Sequence, residues 1–168
     1  MSIVDIIHKL GNLASSKNKE FLIRKNVKYI LNLTNEPDEE TDGIEIKRIS
    51  LEDDEDQELL PHLDIAFEFI DKAAKGWSSQ STSQKKDRDE TGRATILVHS
   101  YFGMSRSSSI ILAYLMKEKG WNLNEAYLYL KKKHSSVNPN DNFAVQLIRY
   151  EQELFDGKMS MTVKDFHQ

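Results

Sequence analysis

The sequence of 168 residues contains no cysteine. That excludes a disulfide framework and any thiolate metal site. Proline and glycine are scarce, three and seven residues, which excludes a collagen-like or Pro/Gly-rich low-complexity chain. No apolar run approaches the roughly 20 residues that cross a bilayer, and no signal-peptide pattern opens the chain. Neither sign of charge dominates: 23 Lys and Arg face 27 Asp and Glu, a net charge of −4. Bulk electrostatics therefore give no case for nucleic acid. What is present, 39% hydrophobic and 30% charged residues, fits one soluble globular domain with a core of its own. The expectation is a protein of the cytoplasm or nucleus, acting as a monomer, with no membrane and no nucleic-acid partner.

Hydrophobic periodicity predicts strands alternating with helices, then helices in succession. Ile3 to Leu10 reads as a short strand and Leu10-Gly11-Asn12 as a turn. Ser16 is the expected N-cap of one helix, Lys17 to Lys25, with Phe21, Leu22 and Ile23 inward. Val27 to Leu33 is a strand, Glu36 to Gly43 an acidic loop, and Ile44 to Ile49 a half-buried strand. Leu51 to Glu58 is an acidic run, read from charge alone as a solvated loop. Leu59 to Lys75 is an amphipathic helix burying Leu59, Leu63, Ala66, Phe67, Ile70 and Ala74. Gly76 to Arg93 is long and polar with one large apolar residue, Trp77, and predicts a flexible insertion or a regulatory loop.

Ala94 to Val98 then forms a buried strand, and the helix from Ser108 to Lys119 is apolar nearly all round, hence buried, ending at Gly120. Asn122 or Asn124 caps the helix Leu123 to Lys133, and Pro139-Asn140 opens the last one, through Leu154. The expected domain covers residues 1–156. Residues 157–168 form a polar tail that either stays free or docks through Met159, Met161 or Phe166.

The chemistry concentrates between the buried strand and its helix: His99-Ser100-Tyr101-Phe102-Gly103-Met104-Ser105-Arg106-Ser107. A loop at a helix N-terminus offers free backbone N–H groups and the positive end of the helix dipole. Arg106 adds a planar fork able to hold two phosphate oxygens, and Gly103 permits a tight turn. These features predict a phosphate or sulfate cradle. The Gly-x4-Gly-Lys-Ser/Thr pattern of a nucleotide loop is absent. His62, His134 and His167 lack metal-ligand spacing.

The stretch resembles the His-Cys-x5-Arg-Ser signature of cysteine-based protein phosphatases, and most of all their dual-specificity branch. Further matches, in order, are the Leu-Gly-Asn turn, the Ile-Leu-Asn strand, Phe69-Ile70-Asp71, and Pro139-Asn140 followed by Phe143. The resemblance spans about Ile6 to Leu154. It implies an α/β fold, a three-layer α/β/α domain with a central, mainly parallel sheet. It also implies a phosphoprotein substrate carrying phosphotyrosine or phosphoserine/threonine, and neither cofactor nor metal. The five variable loop positions hold no Lys, which favours phosphoprotein over inositol lipid. By the resemblance, Ser100 and the loop from Tyr101 through Phe102, Gly103, Met104 and Ser105 to Arg106 bind phosphate. Ser107 donates a hydrogen bond to the nucleophile, and His99 and Asn140 brace the loop from behind. Counting along the acidic run puts the general acid at Asp53, with Asp54 the alternative.

One position departs from the pattern. Where the family has its nucleophilic Cys, this chain has Ser100. A thiol at a helix N-terminus beside Arg becomes a thiolate. A hydroxyl there stays protonated, and without an adjacent base it is a weak nucleophile. Two readings stay open: a phosphatase whose Cys has been replaced by Ser, leaving an inactive, substrate-trapping form, or a natural pseudophosphatase that binds phosphoprotein without hydrolysing it. The otherwise complete apparatus favours the first.

Overall fold

The structure is a computed structural model that describes residues 9–79 and 95–167. Four strands form one parallel sheet: β1 (Lys9–Gly11), β2 (Val27–Asn32), β3 (Glu45–Arg48) and β4 (Thr95–His99), in the order β1-β4-β2-β3. Two short helices, α1 (Leu13–Lys17) and α2 (Lys19–Arg24), follow β1. A 3-10 turn, Leu60–His62, leads into α3 (Leu63–Ser79). Then come α4 (Arg106–Lys119), α5 (Leu123–Lys133), α6 (Asp141–Leu154) and a closing 3-10 turn, Val163–His167.

Side chains alternate across the sheet. From β4, Ile96 and Val98 join the large core beneath α3 to α6, while Leu97 points the other way onto Leu22, Val27 and Ile30. The result is three layers, with a thick helical layer on one face and the α1–α2 layer on the other. At α4 every residue from Arg106 to Met116 is buried. Phe67 packs on Tyr114 at 5.4 Å between ring centres. The Tyr114 hydroxyl donates to Asp71 at 2.7 Å, so this buried polar tip is satisfied.

The sheet register positions the site. Gly11 and Asn32 both pair with His99, and Asn32 pairs with Arg48. All four strands therefore end at one level, and the segments that leave them emerge from one edge. In parallel α/β sheets this carboxyl edge is where ligands bind.

Four expectations need correction. The helix expected over Lys17 to Lys25 is two helices, because Asn18 ends the first and caps the second by accepting from the Phe21 amide at 2.9 Å. Ser16 is buried inside α1 and donates to the Leu13 carbonyl rather than capping; the N-cap is Asn12, expected in a turn. Ile23 is 78% exposed, not inward. Helix α3 continues through Ser79, so Gly76 to Ser79 belongs to the helix; the rest of the insertion, like residues 1–8, lies outside the described residues. The tail docks: Met161 and Phe166 are buried, and Tyr127 meets the Phe166 ring at 4.9 Å. Buried Glu151 ties it down, accepting from the Ser160 amide at 3.0 Å and from the Leu123 amide at 2.8 Å. Among the described residues, no helix is long and apolar enough to cross a membrane.

Candidate active site

β4 delivers His99 and Ser100 to the edge of the sheet, and α4 begins seven residues after His99, at Arg106. Between them Gly103 takes a positive φ of 71°, and a Cβ there would stand 2.6 Å from the Gly11 carbonyl oxygen. Only glycine lets the loop lie this close to the end of β1. The Ser100 amide donates to Gly11, the Leu13 amide to the Tyr101 carbonyl, and the Asn138 amide to the Met104 carbonyl. Among the described residues, the amides of Tyr101 through Arg106 find no acceptor. These donors stand at the head of a 14-residue helix, an arrangement whose open N–H groups and helix dipole suit an anion.

The serines that follow lock the loop. Ser107 is fully buried, and its Oγ lies 3.2 Å from the Oγ of Ser100, itself 2% exposed. No imidazole or carboxylate among the described residues bonds the Ser100 hydroxyl. Ser108 donates back to the carbonyls of Met104 and Ser105, and Ser109 to Ser105.

Arg106 is 4% exposed. One guanidinium nitrogen donates to the Leu51 carbonyl at 2.9 Å and to that of Leu33 at 3.4 Å, which fixes the plane of the fork. Its Nε is buried without a hydrogen-bond partner and faces the Asp53 carboxylate at 3.9 Å. The Tyr101 ring lies beside it, 5.2 Å from the guanidinium carbon. A buried cationic donor with an open valence is costly unless an anion completes it.

The acidic run separates its members. Asp53 turns to the cradle: its Oδ1 accepts from the Ser105 hydroxyl and from the Asn140 amide side chain, each at 2.7 Å. Asp54 turns away, its carboxylate accepting from the amides of Asp56 and Gln57. Helix α6 holds the run in place. Gln146 accepts from the Leu59 amide at 2.7 Å and donates to the Gln57 carbonyl at 2.9 Å, while Asn142 donates to the carbonyls of Asp54 and Gln57. Asn140 is also the N-cap of α6, accepting from the Phe143 amide, and its own amide donates to Ser105 Oγ at 3.0 Å.

Behind the loop, His99 is fully buried and donates from Nε2 to Asp38 at 3.1 Å. An ionised carboxylate can only accept, so the proton sits on Nε2. Burial alone would raise the Asp38 carboxyl, but the hydrogen bond and charge of His99, with hydrogen bonds from Ser16 and Asn32, outweigh it and hold the group below its ordinary value. Tyr101 donates to Glu36 at 3.0 Å; that bond, then burial and the Glu36 charge, push its phenol up despite nearby Arg106. The other two rim side chains, Phe102 and Met104, are exposed, Phe102 at 77%.

The structure thus brings Ser100, Arg106, Ser107, Asp53, His99 and Asn140 together and leaves Asp54 outside. Sequence reading missed Asp38 and the hydroxyl of Ser105. As the N-cap of α4, Ser105 makes no side-chain cap bond and links Asp53 to Asn140 instead. Among the described residues, no cluster of three or more His, Asp or Glu could hold a metal ion.

A family model described as "Dual specificity phosphatase, catalytic domain" matches residues 10–153. The chain is 37% identical over 150 residues to human Protein phosphatase Slingshot homolog 2, covering 89% of this chain and 9% of that protein. It is 33% identical over 148 residues to mouse Dual specificity protein phosphatase 8, covering 86% and 20%. It therefore spans about a tenth and a fifth of the length of these two relatives. The crystal structure of human DUSP28 superposes with a TM-score of 0.71 at 28% identity, covering 87% of this chain and 92% of that one.

Proposed function

For a chain that belongs to the dual-specificity phosphatase family, we propose a domain that captures phosphotyrosine and phosphoserine/threonine on proteins without turning them over. Arg106 clamps two phosphoryl oxygens through its fork, and the loop amides from Tyr101 to Arg106 take the remaining charge. Ser100 occupies the place of the attacking atom, and Ser107 hydrogen-bonds to it. Asp53 is the group that would protonate the leaving oxygen. Asn140, through Ser105, and His99, through Asp38, keep these groups in register.

In a Cys form, the thiolate would attack phosphorus and form a cysteinyl phosphate, the substrate oxygen would leave with the Asp53 proton, and water would then cleave the S–P bond. Here the first step fails for want of an anion. The observation that carries this reading is the surroundings of Ser100: its Oγ is bonded to Ser107 Oγ at 3.2 Å, and neither ring nitrogen of the neighbouring His99 bonds it, Nε2 donating to Asp38 and Nδ1 having no partner. A serine nucleophile needs a base on its hydroxyl.

The test is Ser100→Cys, assayed with an aryl phosphate and a phosphotyrosine peptide beside the unaltered chain. Turnover is expected from the Cys form alone. Normal turnover by the Ser form would overturn the reading. An inactive Cys form that still binds phosphopeptide would shift it to a scaffold that has left catalysis altogether.

A further inference from the structure

Exposed apolar side chains are spread over the molecule except at one place. Among the described residues nine large hydrophobics are exposed, and three of them, Tyr101, Phe102 and Met104, fall within four successive residues between β4 and α4. The other six are distributed over α2, α3, α5, α6 and the tail, as on any protein surface. A cluster is different, because contiguous exposed apolar surface marks an interaction site. Phe102 is the most exposed of the three, so its ring adds little to the core.

The position of the cluster says what it meets. A loop that turns its amides toward one point turns its side chains outward around that point. Tyr101 stands with its ring 5.2 Å from the Arg106 guanidinium carbon and its hydroxyl on Glu36. The Met104 carbonyl accepts from the Asn138 amide at 2.8 Å, on the segment that leads into α6. Phe102 lies between them in the chain. The charged neighbours are already engaged: Glu36 accepts from Tyr101, and Asp53 from Ser105 and Asn140. The apolar surface is what remains open. It is also held still, since Gly103 lies against Gly11 and Ser108 ties back the Met104 carbonyl, so a ligand meets it with little further ordering. A rigid aromatic beside a flexible thioether is the composition of a protein-contact surface. A lipid surface suits it less, because Glu36 and Asp53 border the loop and its one cation, Arg106, is buried, leaving nothing to attract anionic headgroups.

We propose that Tyr101, Phe102 and Met104 form an apolar collar that selects phosphoproteins with a large aliphatic or aromatic residue one or two positions from the phosphorylated one. This rests on the phosphoprotein-binding reading above and refines it. With the phosphate at the head of α4, residues one or two places away lie within about 7 Å along an extended chain, so their side chains meet the loop that holds the phosphate. A leucine placed there removes apolar surface from water on both partners, where an alanine buries much less.

The test uses two phosphotyrosine peptides of equal length and charge, one with leucine and one with alanine at the two positions on either side of the phosphotyrosine. Both are titrated calorimetrically into the full chain and into the Phe102→Ala/Met104→Ala variant. On the unaltered chain the leucine peptide should bind about tenfold tighter, with the more negative heat-capacity change. In the variant the ratio should fall toward one. Any harm the variant does to the phosphate loop weakens both peptides, so the ratio reads the collar alone. Equal affinities or equal heat-capacity changes on the unaltered chain, or a ratio that survives in the variant, overturn the proposal and leave the cradle standing. Sedimentation with phosphatidylcholine vesicles, with and without phosphatidylserine, is run beside the titrations. Vesicle binding that the variant abolishes would overturn the proposal by giving the collar to a membrane. Failure of both peptides to bind overturns the phosphoprotein reading and this proposal together.

Discussion

Between β4 and α4 the chain crosses the site in six residues locked on every side: Gly103 against Gly11, Ser107 on Ser100, and Ser108 and Ser109 tied back to the loop's own carbonyls. Between β3 and α3 it crosses through exposed acids held mainly from α6, by Gln146 and Asn142. The first loop has one conformation imposed by close contacts. The second depends on a few side-chain hydrogen bonds and delivers a single group, Asp53, across the gap. A binding surface must be in place before the ligand arrives. On the proposed chemistry, Asp53 as proton donor is needed only once the leaving oxygen is in reach.

Substitutions in the two loops should therefore fail differently. The largest effect is expected for Asp53→Asn in a Ser100→Cys background: about 10²- to 10⁴-fold slower hydrolysis of a phosphotyrosine peptide. The loss should be much smaller for an aryl phosphate whose leaving group needs no proton, with thermal stability little changed. Steady-state kinetics on the two substrates separate the cases.

Gly103→Val should do the reverse. It forces a β-branched residue to a φ of 71° and drives a Cβ against Gly11. We expect a loss of about 2–4 kcal/mol, seen as a melting temperature lower by roughly 5–15 °C.

Asp38→Ala sits behind the first loop and should cost less, about 1–3 kcal/mol, by leaving the buried Nε2 of His99 without its acceptor. Its pH dependence has a definite sign. The folded Asp38 carboxyl lies below its ordinary 3.8, so its stabilisation is fully present above about pH 4 and is lost as pH falls through the lower folded value. Acid unfolding curves of the unaltered chain and of Asp38→Asn should converge in that window.

The same contrast governs what could be read from the sequence. The first loop is local. An apolar strand, a glycine and Ser-Arg-Ser before an apolar helix stand within a dozen residues, and they were enough to expect a loop at the head of that helix, where the structure places one. Asp53 and Asp54 were both candidates, Asp53 first, on the family resemblance counted back from Phe69-Ile70-Asp71; what turns only Asp53 toward the loop are partners 52 and 87 positions away, Ser105 and Asn140. Asp38 stands 61 positions from His99 in a loop that reads as merely acidic, and no local pattern marks it. The split between α1 and α2 was hidden because Asn18 serves both helices. Whether the tail docks was left open, because a lone aromatic in a polar tail does not say what it will meet; the structure buries Met161 and Phe166 and leaves Met159 exposed.

The most direct measurement is a phosphotyrosine peptide titrated into the unaltered chain and into Arg106→Ala, with inorganic phosphate followed in the same samples. Saturable binding to the unaltered chain is expected, weakened about 100-fold by the variant, with phosphate release at the level of the buffer control in both. Phosphate released by the Ser100 chain at the pace of a working phosphatase, or binding indifferent to Arg106, would contradict a cradle that holds its substrate and cannot cut it.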